Sequence, residues 1–153
     1  MQFTGVDTSS IQLGLMESPL SVETFAGSPY VLVVDDDEAI ISVLMFFLES
    51  EGYYGIGLAE SLKVLSFLDS LEDKQLPSVI LLDLMMPGLS GYELAAHLAR
   101  LERYKHIPVI IMTADSRIRG PESVEGAIDW VPKPFQLTNL LNKLRPYLEQ
   151  SAL

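Results

Sequence analysis

Three apolar runs and one short predicted strand in this sequence end in residues that can do chemistry. Val79-Ile80-Leu81-Leu82 leads into Asp83, and Tyr30-Val31-Leu32-Val33-Val34 leads into Asp35-Asp36-Asp37-Glu38. Val109-Ile110-Ile111-Met112 leads into Thr113, and Asp129-Trp130-Val131 into Pro132-Lys133-Pro134. Runs without polar alternation are the pattern of strands covered on both faces, as in parallel sheets, whose carboxyl ends form the crevice where ligands bind. Asp35, Asp36, Asp37 and Asp83 would then meet at neighbouring strand ends, where like charges repel. A divalent cation with oxygen ligands resolves that repulsion, and Mg²⁺ suits one or two carboxylates completed by water and phosphate. A carboxylate nucleophile, a metal, the Thr113 hydroxyl and the Lys133 ammonium are the parts needed to receive and stabilise a phosphoryl group. The bland alternative is that Asp37 simply caps a helix and that Thr113 and Lys133 are surface residues. His97 and His106 fall on no strand exit.

The elements that must position these residues alternate. After Asp37, a helical period begins at Ala39 with Ile40, Val43, Leu44, Phe47 and Leu48 on one face, and Gly52 closes it. Tyr53–Leu58 reads as a strand, and Ser61–Leu71 as a helix with Leu62, Leu65 and Leu68 inward. The Met85-Met86-Pro87-Gly88 turn stops the Asp83 strand, and Leu94, Leu98 and Leu101 mark the next helix. Pro108 introduces the Thr113 strand. Leu137, Leu140, Leu141, Leu144 and Leu148 define a last helix, which Pro146 should kink or end early. Strands alternating with helical periods imply a doubly wound α/β fold with helices on both faces of a parallel sheet. Periodicity leaves the strand order open.

With 153 residues, 48% of them hydrophobic, the chain suits one domain with a sizeable core. A formal charge of -11 and a pI near 4.4 argue against direct binding to nucleic acid or an anionic membrane, which needs clustered Lys and Arg. The absence of cysteine excludes disulfides and thiolate metal sites. Residues 1–28 have no Lys or Arg and no sustained period, so they read as an unstructured N-terminal extension, although Ile11–Met16 is apolar enough to dock on a partner or on the domain itself. Lacking a basic region ahead of an apolar stretch, they do not resemble a secretory signal, and a cytoplasmic protein is expected. The ordered domain is expected over 29–150, with 151–153 as a tail.

Taken in order, Val-Val-Asp35-Asp36, Leu-Leu-Asp83-Leu-Met-Met-Pro-Gly, Thr113-Ala114 and Lys133-Pro134 resemble the receiver domain of bacterial two-component response regulators over Pro29 to about Glu149. The resemblance implies a flavodoxin-like five-stranded parallel sheet in the order 2-1-3-4-5. It implies that Asp83 is the phosphoacceptor, that Asp36, Asp83 and the Met85 backbone carbonyl ligate Mg²⁺, and that Asp35 holds the ion through water. Thr113 and Lys133 would contact the phosphoryl oxygens, and Thr113 and Trp130 would form the switch, with Trp130 where the family usually has Tyr or Phe. The chain departs from the family in the 116–126 stretch, where Gly120-Pro121 interrupts helical continuity. The fourth crossover helix should therefore be short or irregular.

The function expected from this reading is a stand-alone, non-enzymatic receiver. It would take a phosphoryl group from a sensor histidine kinase or phosphotransfer protein and pass the signal to a downstream protein by contact, without binding nucleic acid or membrane. A degenerate receiver acting without phosphorylation is the second reading. An aspartyl-nucleophile phosphohydrolase, suggested by the Asp35-Asp36-Asp37 run, ranks last.

Overall fold

The structure is a computed structural model that describes residues 27–149. The expectations for residues 1–26 and for the 151–153 tail lie outside the described residues. Five strands, β1 (Tyr30–Val34), β2 (Tyr54–Leu58), β3 (Val79–Asp83), β4 (Val109–Thr113) and β5 (Ala127–Pro132), form one parallel sheet in the order β2-β1-β3-β4-β5. The helices are α1 (Glu38–Ser50), α2 (Val64–Asp69), α3 (Gly91–Arg100) and α4 (Leu137–Leu148). The doubly wound, flavodoxin-like order implied by the resemblance is the one observed.

β1, β3 and β4 are buried along their whole length, which is why their sequences show no alternation. Leu32, Val34, Ile80, Leu82 and Ile111 face α2 and α3, meeting Val64, Leu68, Leu94 and Leu98. Val31, Val33, Leu81, Ile110 and Met112 face α1 and α4, meeting Leu44, Leu48, Leu140 and Leu144. Each such side chain contributes about 1.5–3 kcal/mol on burial, so the two apolar layers hold the strand ends in register. Among the described residues, no helix is long and apolar enough to cross a membrane.

Several local expectations are corrected. Val43 is 54% exposed rather than inward. Gly55 and Gly57 let α1 lie so close to β2 that a Cβ on Gly57 would sit 2.3 Å from Ile41 Cγ2, and Met45 and Leu48 close on Gly55. The helix is thereby turned toward Ile41 and Met45, and Val43 and Phe46 point out. Leu62 is exposed because Ser61–Lys63 is a 3₁₀ turn preceding the shorter α2, so the inward set is Ser61, Val64 and Leu68. Leu101 caps α3 and is 40% exposed. Pro146 does not end α4: the helix runs on to the buried Leu148, and the Glu149 N–H donates to the Arg145 carbonyl at 3.0 Å beyond it. Between β4 and β5 the described chain contains no α-helix, only the 3₁₀ turn Pro121–Ser123, in line with the Gly120-Pro121 interruption.

Candidate functional site

Strand register builds the site. β1 and β3 pair with Val34 opposite Leu82, so the next residues on each strand, Asp35 and Asp83, stand side by side at the carboxyl end of the sheet. β4 pairs with β3 with Met112 opposite Asp83, and with β5 with Thr113 opposite Pro132, which brings Thr113 and Lys133 to the same crevice. The Lys133 N–H donates to the Thr113 carbonyl at 2.7 Å, tying the two strand exits together, and the Lys133–Pro134 peptide is cis.

Asp35, Asp83 and Thr113 are buried, whereas Asp36 and Asp37 are exposed. The Lys133 ammonium donates to Asp35 Oδ2 at 2.8 Å and lies 3.5 Å from Asp83 Oδ2. The other Asp35 oxygen accepts from the Asp37 N–H at 2.9 Å, and Asp83 Oδ1 accepts a longer bond from the Met85 N–H at 3.3 Å. Asp83 thus keeps carboxylate lone pairs turned to the crevice. Burial, then the charge of Asp35, pushes its carboxyl up from 3.8 to about 6, against the opposing pull of Lys133 and the Met85 N–H. Burial alone would lower the Lys133 ammonium, but the hydrogen bond and charge of Asp35, with Asp83 beyond, carry it above its ordinary value.

Carboxylate oxygens of Asp35, Asp36 and Asp83 can all lie within 4.8 Å of one another. That spacing, three hard oxygen donors and a raised Asp83 are what a divalent-cation site looks like before a cation relieves it. One of the three, Asp36, is open to solvent, so water could complete the coordination shell.

Asp35, Asp36, Asp83, Met85, Thr113 and Lys133 therefore converge. Asp37 does not join them: its side chain accepts from the Ala39 N–H at 3.0 Å and caps α1. Trp130 stands apart from the carboxylates, half-buried on β5 against the α2/α3 side of the core, and its Nε1 is buried without a hydrogen-bond partner. His97 and His106 are exposed and lie on α3 and ahead of β4. Two supporting residues carried no chemical signal in the sequence. A Cβ on Gly91 would lie 2.2 Å from the Asp83 carbonyl oxygen, so only glycine lets α3 start against the Asp83 loop. The Asp115 N–H donates to Thr113 Oγ1 at 2.9 Å and orients that hydroxyl, while Arg117 holds the Asp115 carboxyl near 2.

Comparison with known proteins agrees with this fold. Residues 31–145 match the response regulator receiver domain family. The chain is 33% identical over 127 residues to the DNA-binding dual master transcriptional regulator RpaA of Synechocystis, covering 80% of this chain and 50% of that protein. It is 36% identical over 127 residues to the transcriptional regulatory protein YkoG of Bacillus subtilis, covering 80% and 52%. The chain thus spans about half the length of these curated relatives. Among solved structures, the response regulator TrrA of Thermotoga maritima, in complex with Mg²⁺ and BeF, superposes with a TM-score of 0.67 at 30% identity, over 78% of this chain and 99% of that one. The chemotaxis protein CheY4 of Vibrio cholerae superposes with a TM-score of 0.66 at 27% identity, over 79% and 99%.

Proposed function

The chain belongs to the response regulator receiver domain family, and from that premise we propose that it is a phosphoacceptor in a two-component relay, receiving its phosphoryl group on Asp83 from a histidine kinase or phosphotransfer protein. One observation carries this reading: a buried carboxylate with open lone pairs, next to Asp35 and Asp36 and 3.5 Å from the Lys133 ammonium. An oxygen of Asp83 attacks phosphorus as the bond from phosphorus to the donor's leaving group breaks, which yields an acyl phosphate. Lys133 meets charge developing on one phosphoryl oxygen and the Thr113 hydroxyl donates to another. Asp35, Asp36, Asp83 and the Met85 carbonyl would hold Mg²⁺, which when bound supplies the remaining positive charge. Asp35 plays a second part by fixing Lys133 through their 2.8 Å hydrogen bond. The domain acts as a signalling element rather than an enzyme, and it passes its state on by protein contact in the cytoplasm.

Intact-mass spectrometry after treatment with acetyl phosphate and Mg²⁺ tests this. A single labile adduct that Asp83→Asn eliminates is expected; an adduct persisting in Asp83→Asn would move the nucleophile to a neighbouring aspartate. A second reading has one observation in its favour, the lack of an α-helix between β4 and β5. A receiver that binds its target without phosphorylation would give no adduct at all.

A further inference from the structure

β5 closes one side of the sheet, and among the described residues no strand lies beyond it. The connection from β4 holds no α-helix that could overhang this side, only the 3₁₀ turn Pro121–Ser123. Ile128 is 46% exposed on the strand, a large apolar side chain left in water. An open edge of this kind offers unpaired N–H and C=O groups to another strand, above all to the same strand of a second copy. One bond shows which groups face outward. The Lys133 N–H donates to the Thr113 carbonyl at 2.7 Å, so position 133 faces β4. Alternate residues of a strand turn their backbone groups to opposite edges, which puts Val131 and Asp129 toward β4 and Trp130 and Pro132 toward the open side. Pro132 has no N–H. At the start of the strand the register with β4 shifts at Val109/Ile110, an irregularity that itself disrupts pairing.

Over the regular stretch 129–132, the Trp130 N–H is therefore the outward backbone donor, and it is already taken. It donates to Asp129 Oδ1 at 2.8 Å. The same oxygen accepts from the Lys143 ammonium of α4 at 3.0 Å, which fixes the carboxylate beside the edge. We propose that Asp129, held by Lys143, guards the β5 edge and keeps it from pairing with the β5 strand of a second copy. Two copies of one edge meet about a two-fold axis, each presenting the same groups to the other. An antiparallel register over 129–132 needs the Trp130 N–H of both copies, because Pro132 cannot donate. Pairing must then break the cap twice. Each copy brings a Lys143 with its Asp129, so the obstacle is the occupied donor rather than a net charge.

Sedimentation of the unphosphorylated full chain tests this, with amide exchange of Trp130, followed by NMR, as the measure of what happens at the edge. In the native chain Trp130 should exchange at one rate whatever the concentration. Asp129→Ala should uncover the donor: in dilute solution Trp130 exchange should rise at least about tenfold, the protection of one hydrogen bond being lost. In concentrated solution that variant should dimerise and regain the protection. Asp129→Val should behave alike, and its β-branched side chain suits a strand, which covers the case in which alanine weakens the fold. Asp129→Asn keeps an oxygen for the Trp130 N–H without the charge, and should stay monomeric. Alanine and valine variants that both remain monomeric would overturn the proposal. So would Asp129→Asn dimers as tight as those of Asp129→Ala, which would assign the effect to charge. Dimers in which Trp130 exchange does not slow would overturn it as well, placing the contact on another surface.

Discussion

The ammonium of Lys133 donates to Asp35 Oδ2 at 2.8 Å across 98 positions of sequence, joining the loop after β5 to the end of β1. The contact sets the spacing of the crevice, because the same ammonium lies 3.5 Å from Asp83 Oδ2 and so cannot serve one carboxylate without approaching the other. Asp35, fully buried, has no solvent to fall back on.

Lys133→Met should therefore act twice. Leaving a buried carboxylate without its cation costs about 3 kcal/mol, which urea unfolding of the metal-free protein will register as a lower midpoint. Loss of a positioned charge at the phosphoryl group should slow labelling by acetyl phosphate about 100-fold. A variant of unchanged stability and labelling rate would remove Lys133 from both roles.

The raised Asp83 carboxyl makes the stability of the metal-free chain depend on pH. With a folded value of about 6 against an ordinary 3.8, the folded state binds more protons than the unfolded state between these values. Stability should consequently fall as pH rises from about 4 to 6 and level off above. Asp115, held at about 2, acts in the opposite sense only below that window. Thermal melts across the range should show the decline in the native chain and its absence in Asp83→Asn, which at pH 7 should be the more stable protein.

Cation binding should reverse that penalty. Mg²⁺ at ten times its dissociation constant would stabilise the fold by about 1.4 kcal/mol, visible as a rise of several degrees in melting temperature. Asp36→Ala, a change at an exposed position, should abolish the rise with little effect on the metal-free melt, and Asp83→Ala should reduce it. A full response retained in both variants would place the ion elsewhere.

Much of this site was legible in the sequence because a fully buried strand announces itself as an unbroken apolar run, and the residue after such a run stands at the end of the sheet. Asp35, Asp83 and Thr113 could be found that way; Lys133 follows β5, an edge strand that carries Asp129 and is only partly buried, and it was marked by the Pro132-Lys133-Pro134 stretch after a short predicted strand. What was not legible depends on contacts between distant segments. The rotation that exposes Val43 is set by the missing side chains of Gly55 and Gly57 on a neighbouring strand. The exposure of Leu62 follows from a 3₁₀ turn whose period differs from that of a helix. Pro146 sits in a helix anchored by Leu144 and Leu148 against the sheet, a tertiary contribution that outweighs the local preference. The strand order, too, is a property of assembly, and it entered through the family resemblance.

Gly91 is the clearest case of a residue whose role only the fold reveals. An alanine Cβ there would meet the Asp83 carbonyl oxygen at 2.2 Å and the Leu84 Cα at 2.6 Å, both backbone atoms with little room to yield. Gly91→Ala should cost about 2–3 kcal/mol through overpacking and should displace the Asp83 loop. Labelling of Asp83 should fall in the fraction that remains folded, as read by mass spectrometry alongside circular dichroism. Wild-type labelling in a stable variant would show that the loop tolerates the shift.

Trp130 is proposed as the readout. It is the only tryptophan in the chain, half-buried on β5, and its indole N–H is buried without an acceptor. An unsatisfied buried donor costs about 1–3 kcal/mol, so the ring stands in a position that a modest rearrangement can improve. Phosphorylation places about -1.5 to -2 charges beside Thr113, whose hydroxyl now accepts from the Asp115 N–H. As that hydroxyl turns to donate to the phosphoryl group, the β4 exit moves, and β5 is hydrogen-bonded to it through Thr113 and Lys133. Beryllofluoride with Mg²⁺, a phosphoryl mimic, should then shift Trp130 emission and reduce its access to quencher, and Asp83→Ala should show neither change. Should emission and quenching stay the same while binding at Asp83 is proven, Trp130 is a fixed packing residue, and the signal must leave through the 115–126 segment that packs on α3 through the Arg100–Glu125 ion pair.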